Sequence, residues 1–156
     1  MSELYVRNRQ RSQPIDAKLL ERIARSLIAK IGPADYDIGI ILVSDREMTR
    51  LNEAFLRHAG PTDVLAFGYT GDQRSSLHGE IFVCMAEALR QARRFRVAWQ
   101  KEVVRYLCHG LLHFQGYDDS TLAKRRRMKA VENALLGKAA REFCLSDLAR
   151  KSNVRV

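Results

Sequence analysis

The 156-residue sequence predicts an α+β fold, a small mixed sheet of about four strands packed with about five helices. Three observations predict it. Short β-branched runs alternate imperfectly with amphipathic stretches, two helical segments cluster directly after a candidate hairpin, and 46% hydrophobic composition over one domain length supports a single packed core. No internal repeat or low-complexity linker divides the chain.

Leu4 to Val6 is a short strand candidate. Asp16 then caps a helix whose apolar residues Leu19, Leu20, Ile23, Leu27 and Ile31 follow the 3.6 period, until Gly32 and Pro33 stop it. Ile38 to Val43 reads as a buried strand, and Ser44 with Glu47 has capping-box spacing for a helix from Asp45 to about Leu56. Val64 to Tyr69 and Glu80 to Cys84 form a candidate hairpin joined by the polar loop Thr70 to His78. Helices follow from Met85 to about Arg94, from Trp99 to Phe114 with Gly116 beyond its end, and from Thr121 to Leu136 with Gly137 as the stop. Residues 1–137 thus read as one domain and 138–156 as a basic C-terminal extension carrying Arg150, Lys151 and Arg155.

Twenty-seven Lys plus Arg against 18 Asp plus Glu give a formal charge of +9, which directs the surface toward polyanions such as nucleic acid. The longest apolar run, Ile38 to Val43, is far short of the roughly 20 residues that span a bilayer, so no membrane partner is expected. Met1 to Pro14 lacks the continuous apolar region of a secretory signal, which makes the cytoplasm the expected location. Cys84, Cys108 and Cys144 show no CxxC spacing and read as reduced, buried thiols.

The informative segment runs from Cys108 to Asp119. His109 and His113 are four residues apart on an expected helix, so their rings lie about 40° apart and one turn above each other, close enough to share a cation. This is the spacing of the two histidines of a zincin-like metal helix. Gly116 can turn the chain back and bring Asp118 or Asp119 toward the metal as a third ligand. The same spacing suits two partly buried histidines bonded to backbone or carboxylates. Position 110 is Gly where a metalloprotease carries its catalytic Glu, which disfavours a protease. Glu80, Glu102, Asp118 and a substrate phosphate oxygen are candidates for a general base, and no spacing selects among them.

Leu51-Asn52 followed by Gly60-Pro61-Thr62-Asp63-Val64-Leu65-Ala66-Phe67, then Gly79-Glu80-Ile81, then His109-Gly110-Leu111-Leu112-His113 with Gly116-Tyr117-Asp118 resemble the YbeY endoribonucleases of ribosomal RNA maturation. The stretch Met128 to Leu136, with Glu132 inside it, is similar as well, and the likeness covers roughly residues 36 to 137. The resemblance implies one zinc per chain, held by three histidines in the family pattern. It also implies hydrolysis of single-stranded RNA, small-subunit rRNA 3′ end maturation, and the ribosome or its small subunit as a partner. Two positions depart from the pattern. The third histidine falls on Asp119, giving His109, His113 and Asp119 as the ligand set, and the family's arginine falls on Leu56, leaving Arg57 as the candidate contact for the substrate phosphate. Aspartate still ligates zinc, but its charge weakens the ion as a Lewis acid.

Basic residues gather at Arg90, Arg93, Arg94 and Arg96, and again at Lys124, Arg125, Arg126, Arg127 and Lys129. An RNA backbone lying across a zinc cleft between them accounts for both, the second cluster being the candidate RNA-binding face. Tyr69, Tyr117 and Phe114 are candidate stacking platforms, with Phe114 read more readily as core. His58 and His78 fall in expected loops, His58 as an outlying substrate contact. Three function classes remain: a zinc endoribonuclease, a ribosome-associated RNA-binding factor weakened through Asp119 and Leu56, and a non-haem iron centre. The last lacks any sign of a cosubstrate site.

Overall fold

A computed structural model describes residues 2–56, 63–69 and 76–149. Its first strand, β1 (Glu3–Asn8), leads to helix α1 (Ala17–Ile31), where the Asp16 side chain accepts from the Leu19 backbone N–H at 3.0 Å. The helix buries Leu20, Ile23, Ala24, Leu27 and Ile28; the predicted Leu20, Ile23 and Leu27 are at its centre, while Leu19 and Ile31 are only partly buried and Ala24 and Ile28 take the inner positions. Strand β2 (Asp35–Val43) follows, then α2 (Asp45–Leu51), capped by Ser44 as the sequence predicts. The helical run does reach Leu56, but Asn52–Leu56 winds as a π-helix rather than an α-helix.

Strands β3 (Val64–Gly68) and β4 (Ser76–Cys84) pair antiparallel, as the hairpin reading requires. Strand β4 starts earlier than predicted, so His78 belongs to the sheet and not to a loop, where its imidazole lies 3.7 Å from Asp35. Parallel pairing with β2 over Asp35–Val43 extends the strand through the polar residues Ser76 and His78, which carry no apolar signal of their own. The four strands lie in the order β1-β2-β4-β3, parallel except for β3, which is an edge.

Helices α3 (Met85–Phe95), α4 (Trp99–Phe114) and α5 (Leu122–Glu142) complete the fold. The last runs straight through Gly137, contrary to the expected stop, because Leu135, Leu136 and Ala139 continue its buried face. A 3-10 turn at Leu145–Leu148 buries Leu148 completely, and Ala149 bridges to Ile15. Cys84 and Cys108 are buried thiols, whereas Cys144 is exposed beside this turn, which corrects the reading of three buried cysteines.

The two faces of the sheet differ. Ile38, Ile40, Leu42, Ile81 and Val83 meet α1 and α4 in the main core, and Ile41, Val43, Phe82 and Cys84 meet Met48 in a smaller cluster under α2. Helix α4 is the central one, with Val103, Leu107 and Leu111 fully buried, each side chain contributing about 1.5–3 kcal/mol by burial. A Cβ at Gly110 would stand 2.9 Å from Ile81 Cδ1, so this position is kept small by the close approach of α4 to β4. That packing explains why no acidic side chain stands between the two histidines. No helix among the described residues is long and apolar enough to cross a membrane.

Candidate metal centre and cleft

The last two turns of α4 carry His109 and His113, with Nε2 atoms 3.2 Å apart and ring planes at 76°. Two imidazole nitrogens bound to one tetrahedral zinc at about 2.0–2.1 Å stand about 3.3 Å apart. The ring nitrogens are therefore at ligand spacing, as the four-residue interval predicts.

Helix α5 supplies what the sequence reading left without a role. Glu132, its side chain 6% exposed, places Oε2 3.0 Å from His109 Nδ1. A carboxylate only accepts, so Nδ1 carries the proton and Nε2 presents its lone pair toward His113. This is the arrangement in which a second carboxylate orients a metal-binding imidazole. Arg105 holds the other side of the same carboxylate, donating from Nη1 to Glu132 Oε1 at 3.2 Å and to Asn133 Oδ1 at 2.9 Å. Its Nε lies 3.5 Å from Glu102. Burial pushes the Glu132 carboxyl up, but the bonds from His109 and Arg105 outweigh it and hold the group below its usual range. The Glu132 bond raises the pKa of His109, outweighing burial, while burial and then the neighbouring His109 lower that of His113. His113 thus favours its neutral form, and a metal at His109 Nε2 would displace the second proton that the raised pKa favours there.

Gly116 ends the helix as expected. It adopts φ 93°, its N–H donates to His113 O at 3.0 Å, and the Tyr117 N–H donates to Leu112 O at 3.1 Å, a Schellman turn. The two following aspartates diverge. Asp118 is occupied locally, accepting from the Ser120 N–H at 3.0 Å and its hydroxyl at 2.7 Å, with Lys124 Nζ at 3.5 Å. Asp119 is exposed, lines the same cavity as His109, and acts electrostatically on both histidines. The structure therefore joins His109 and His113, with Asp119 on the wall of the cavity that His109 lines. Among the described residues no three His, Cys, Asp or Glu side chains converge as a ready-made cation cage.

The cavity measures about 570 Å³ and lies between α4, α5 and the start of β3. Arg125, Arg126 and Lys129 line it. Lys124 and Arg127 instead line a neighbouring hollow of about 390 Å³, where the Arg127 guanidinium sits 5.9 Å from the Tyr117 ring centroid. Arg57 and His58 lie outside the described residues.

Among the carboxyls that could take a proton, Glu102 and Asp63 line the cavity. Glu80 does not, because β4 alternation turns it to the opposite face of the sheet, where the hydroxyls of Tyr5 and Tyr69 donate to it. Burial raises the pKa of Asp63. Phe114 is core, 6% exposed and packed on the Gly79 backbone. Arg105, Asp63 and the role of Glu132 escape a sequence reading because each depends on contacts between elements. The only signal is the position of Glu132 on the buried face of α5, where an unpaired carboxylate would be costly.

The model of the family described as Endoribonuclease YbeY matches residues 5–140. The chain belongs to the YbeY family. Endoribonuclease YbeY of Syntrophotalea carbinolica is 30% identical over 149 residues, covering 92% of this chain and 99% of the relative. That of an Anaeromyxobacter species is 38% identical over 133 residues, covering 81% and 69%. The fold resembles the solution structure of TM1509 from Thermotoga maritima, with a TM-score of 0.68 and 25% identity over 99% of this chain and 100% of the other. YbeY membership agrees with the α+β reading and with the segments that carried the resemblance.

Proposed function

We propose that this chain is a metal-dependent, single-strand-specific endoribonuclease of ribosomal RNA processing, acting in the cytoplasm with the small ribosomal subunit as its partner. The observation that carries the reading is the pair of Nε2 atoms 3.2 Å apart, with His109 lining a cavity that Arg125, Arg126 and Lys129 also wall. Family names support RNA cleavage.

His109, His113 and Asp119 are the residues that would hold zinc, one ion per chain. The donor set suits it: two imidazoles at ligand spacing, one already oriented by Glu132, and a carboxylate on the adjoining wall. When bound, zinc supplies Lewis acidity and makes water a stronger acid, both moderated here by the charge of Asp119.

The protein's own groups perform the remaining work. Glu132 and Arg105 lock the His109 ring, while Arg125, Arg126 and Lys129 draw the phosphate backbone into the cleft, with Lys124 and Arg127 extending the basic face. Arg57 is assigned the substrate phosphate contact on the strength of the resemblance. Glu102 and Asp63 are the cavity carboxyls placed to accept a proton.

The exposed position of Asp119 favours one second reading, an RNA-binding factor with weakened hydrolysis. Incubation of single-stranded rRNA fragments with the purified protein decides between them. Cleavage that a chelator abolishes and zinc restores supports the endoribonuclease; tight RNA binding without cleavage under any metal supports the second reading.

A further inference from the structure

The corner between α3 and α4 takes no part in the site described above. Phe95 is 61% exposed and Val97 40%, within three residues of each other. Arg93, Arg94, Arg96 and Lys101 lie within six residues of them in the chain, all exposed, and none pairs with a carboxylate among the described residues. One turn earlier Arg90 is neutralised by Asp45 and Glu87, both at 2.6 Å, so the unpaired charge begins at the corner. The Arg94 guanidinium lies 5.3 Å from the Phe95 ring centroid, a cation beside an open aromatic face.

The corner is also in line with the cleft. Phe95 follows Gln91 by four residues and so shares its face of α3, and Gln91 lines the cavity. On α4 the cavity floor runs from His109 back through Arg105 to Glu102, next to Lys101. At about 1.5 Å per helical residue the Trp99–Lys101 end of α4 stands about 12–15 Å along the helix from His109, about four nucleotides at a stacked rise of about 3.4 Å, and Phe95 lies beyond it.

We propose that Phe95 and Arg94, with Arg93, Arg96 and Lys101, form a distal RNA subsite that stacks a base and grips the backbone of a strand whose scissile phosphate lies at the histidine pair. It rests on the reading of the chain as an RNA-cleaving enzyme. One guanidinium beside an exposed ring, with three further uncompensated cations at the same corner, suits a single strand, which offers phosphates and flat bases together. A protein partner would need a wider apolar patch than one ring and one valine.

The test uses the full chain with chelator present, so that binding is read without cleavage, and a short single-stranded RNA oligonucleotide. Trp99 is the only tryptophan and opens α4 at this corner, so its fluorescence reports occupancy directly. RNA is expected to quench Trp99. Phe95→Ala weakens binding about tenfold at unchanged salt dependence, and Phe95→Tyr restores it. Replacing Arg93, Arg94 and Arg96 together with Ser lowers the slope of log affinity against log salt by about 2. If RNA binds but Trp99 does not respond and both sets of variants bind as the parent does, the subsite is wrong while the proposed function stands. If the parent protein binds no RNA, the proposed function itself fails and takes the subsite with it.

Discussion

The Nδ1 atom of His109 lies 3.0 Å from Oε2 of Glu132, 23 residues further on, and this one contact both ties α4 to α5 and aims the opposite ring nitrogen at His113. The buried carboxylate satisfies an imidazole on one side and a guanidinium on the other, so its charge is matched by groups of the fold itself.

Glu132→Gln removes the charge and keeps the shape. The variant is expected to fold and to bind zinc about 10- to 100-fold more weakly, measured by competition with a chromogenic chelator. Unchanged zinc affinity would leave Glu132 as a packing group only.

Two glycines respond in opposite directions to the same substitution. Gly116 has φ 93°, so Gly116→Ala forces a side chain into the left-handed region at about 1–2 kcal/mol, lowering Tm by about 2–4 °C per kcal/mol. Gly137 is helical, and a Cβ there meets only Arg141 Nη1 at 3.4 Å. Gly137→Ala therefore raises stability by about 1 kcal/mol through helix propensity. Calorimetry of the two variants checks both signs.

The bond from Arg90 holds the Asp45 carboxyl below its ordinary range despite some opposing burial. A depressed folded-state pKa contributes stability above the unfolded value, and that contribution is lost as pH falls through the folded value. The parent protein should thus lose more stability than Asp45→Asn below about pH 4, in acid denaturation followed by circular dichroism. Both side chains are more than a third exposed, so solvent screening keeps the difference within about 1 kcal/mol.

The sequence carries what is periodic or local. The Asp16 and Ser44 caps, the bounds of α4, the Gly116 turn and the proximity of His109 and His113 all depend on neighbours within a few residues, and they stand as read, as does the centre of the α1 stripe at Leu20, Ile23 and Leu27. What depends on partners distant in sequence was not legible there. The start of β4 is set by pairing with β2, and Gly137 stays helical because residues beyond it pack on the core. The division of labour between Asp118 and Asp119 follows from Ser120 and Lys124, and Glu80 is removed from the cleft by the pleat of a strand whose register needs its neighbour.

Elemental analysis of the purified protein, beside His109→Ala, His113→Ala and Asp119→Ala, tests the central claim that these side chains form one metal site. About one zinc per chain is expected in the parent. The two histidine variants should retain almost none after dialysis, and Asp119→Ala should lose most of it. Parent-level zinc in both histidine variants would contradict the site, and parent-level zinc in Asp119→Ala alone would remove Asp119 from it.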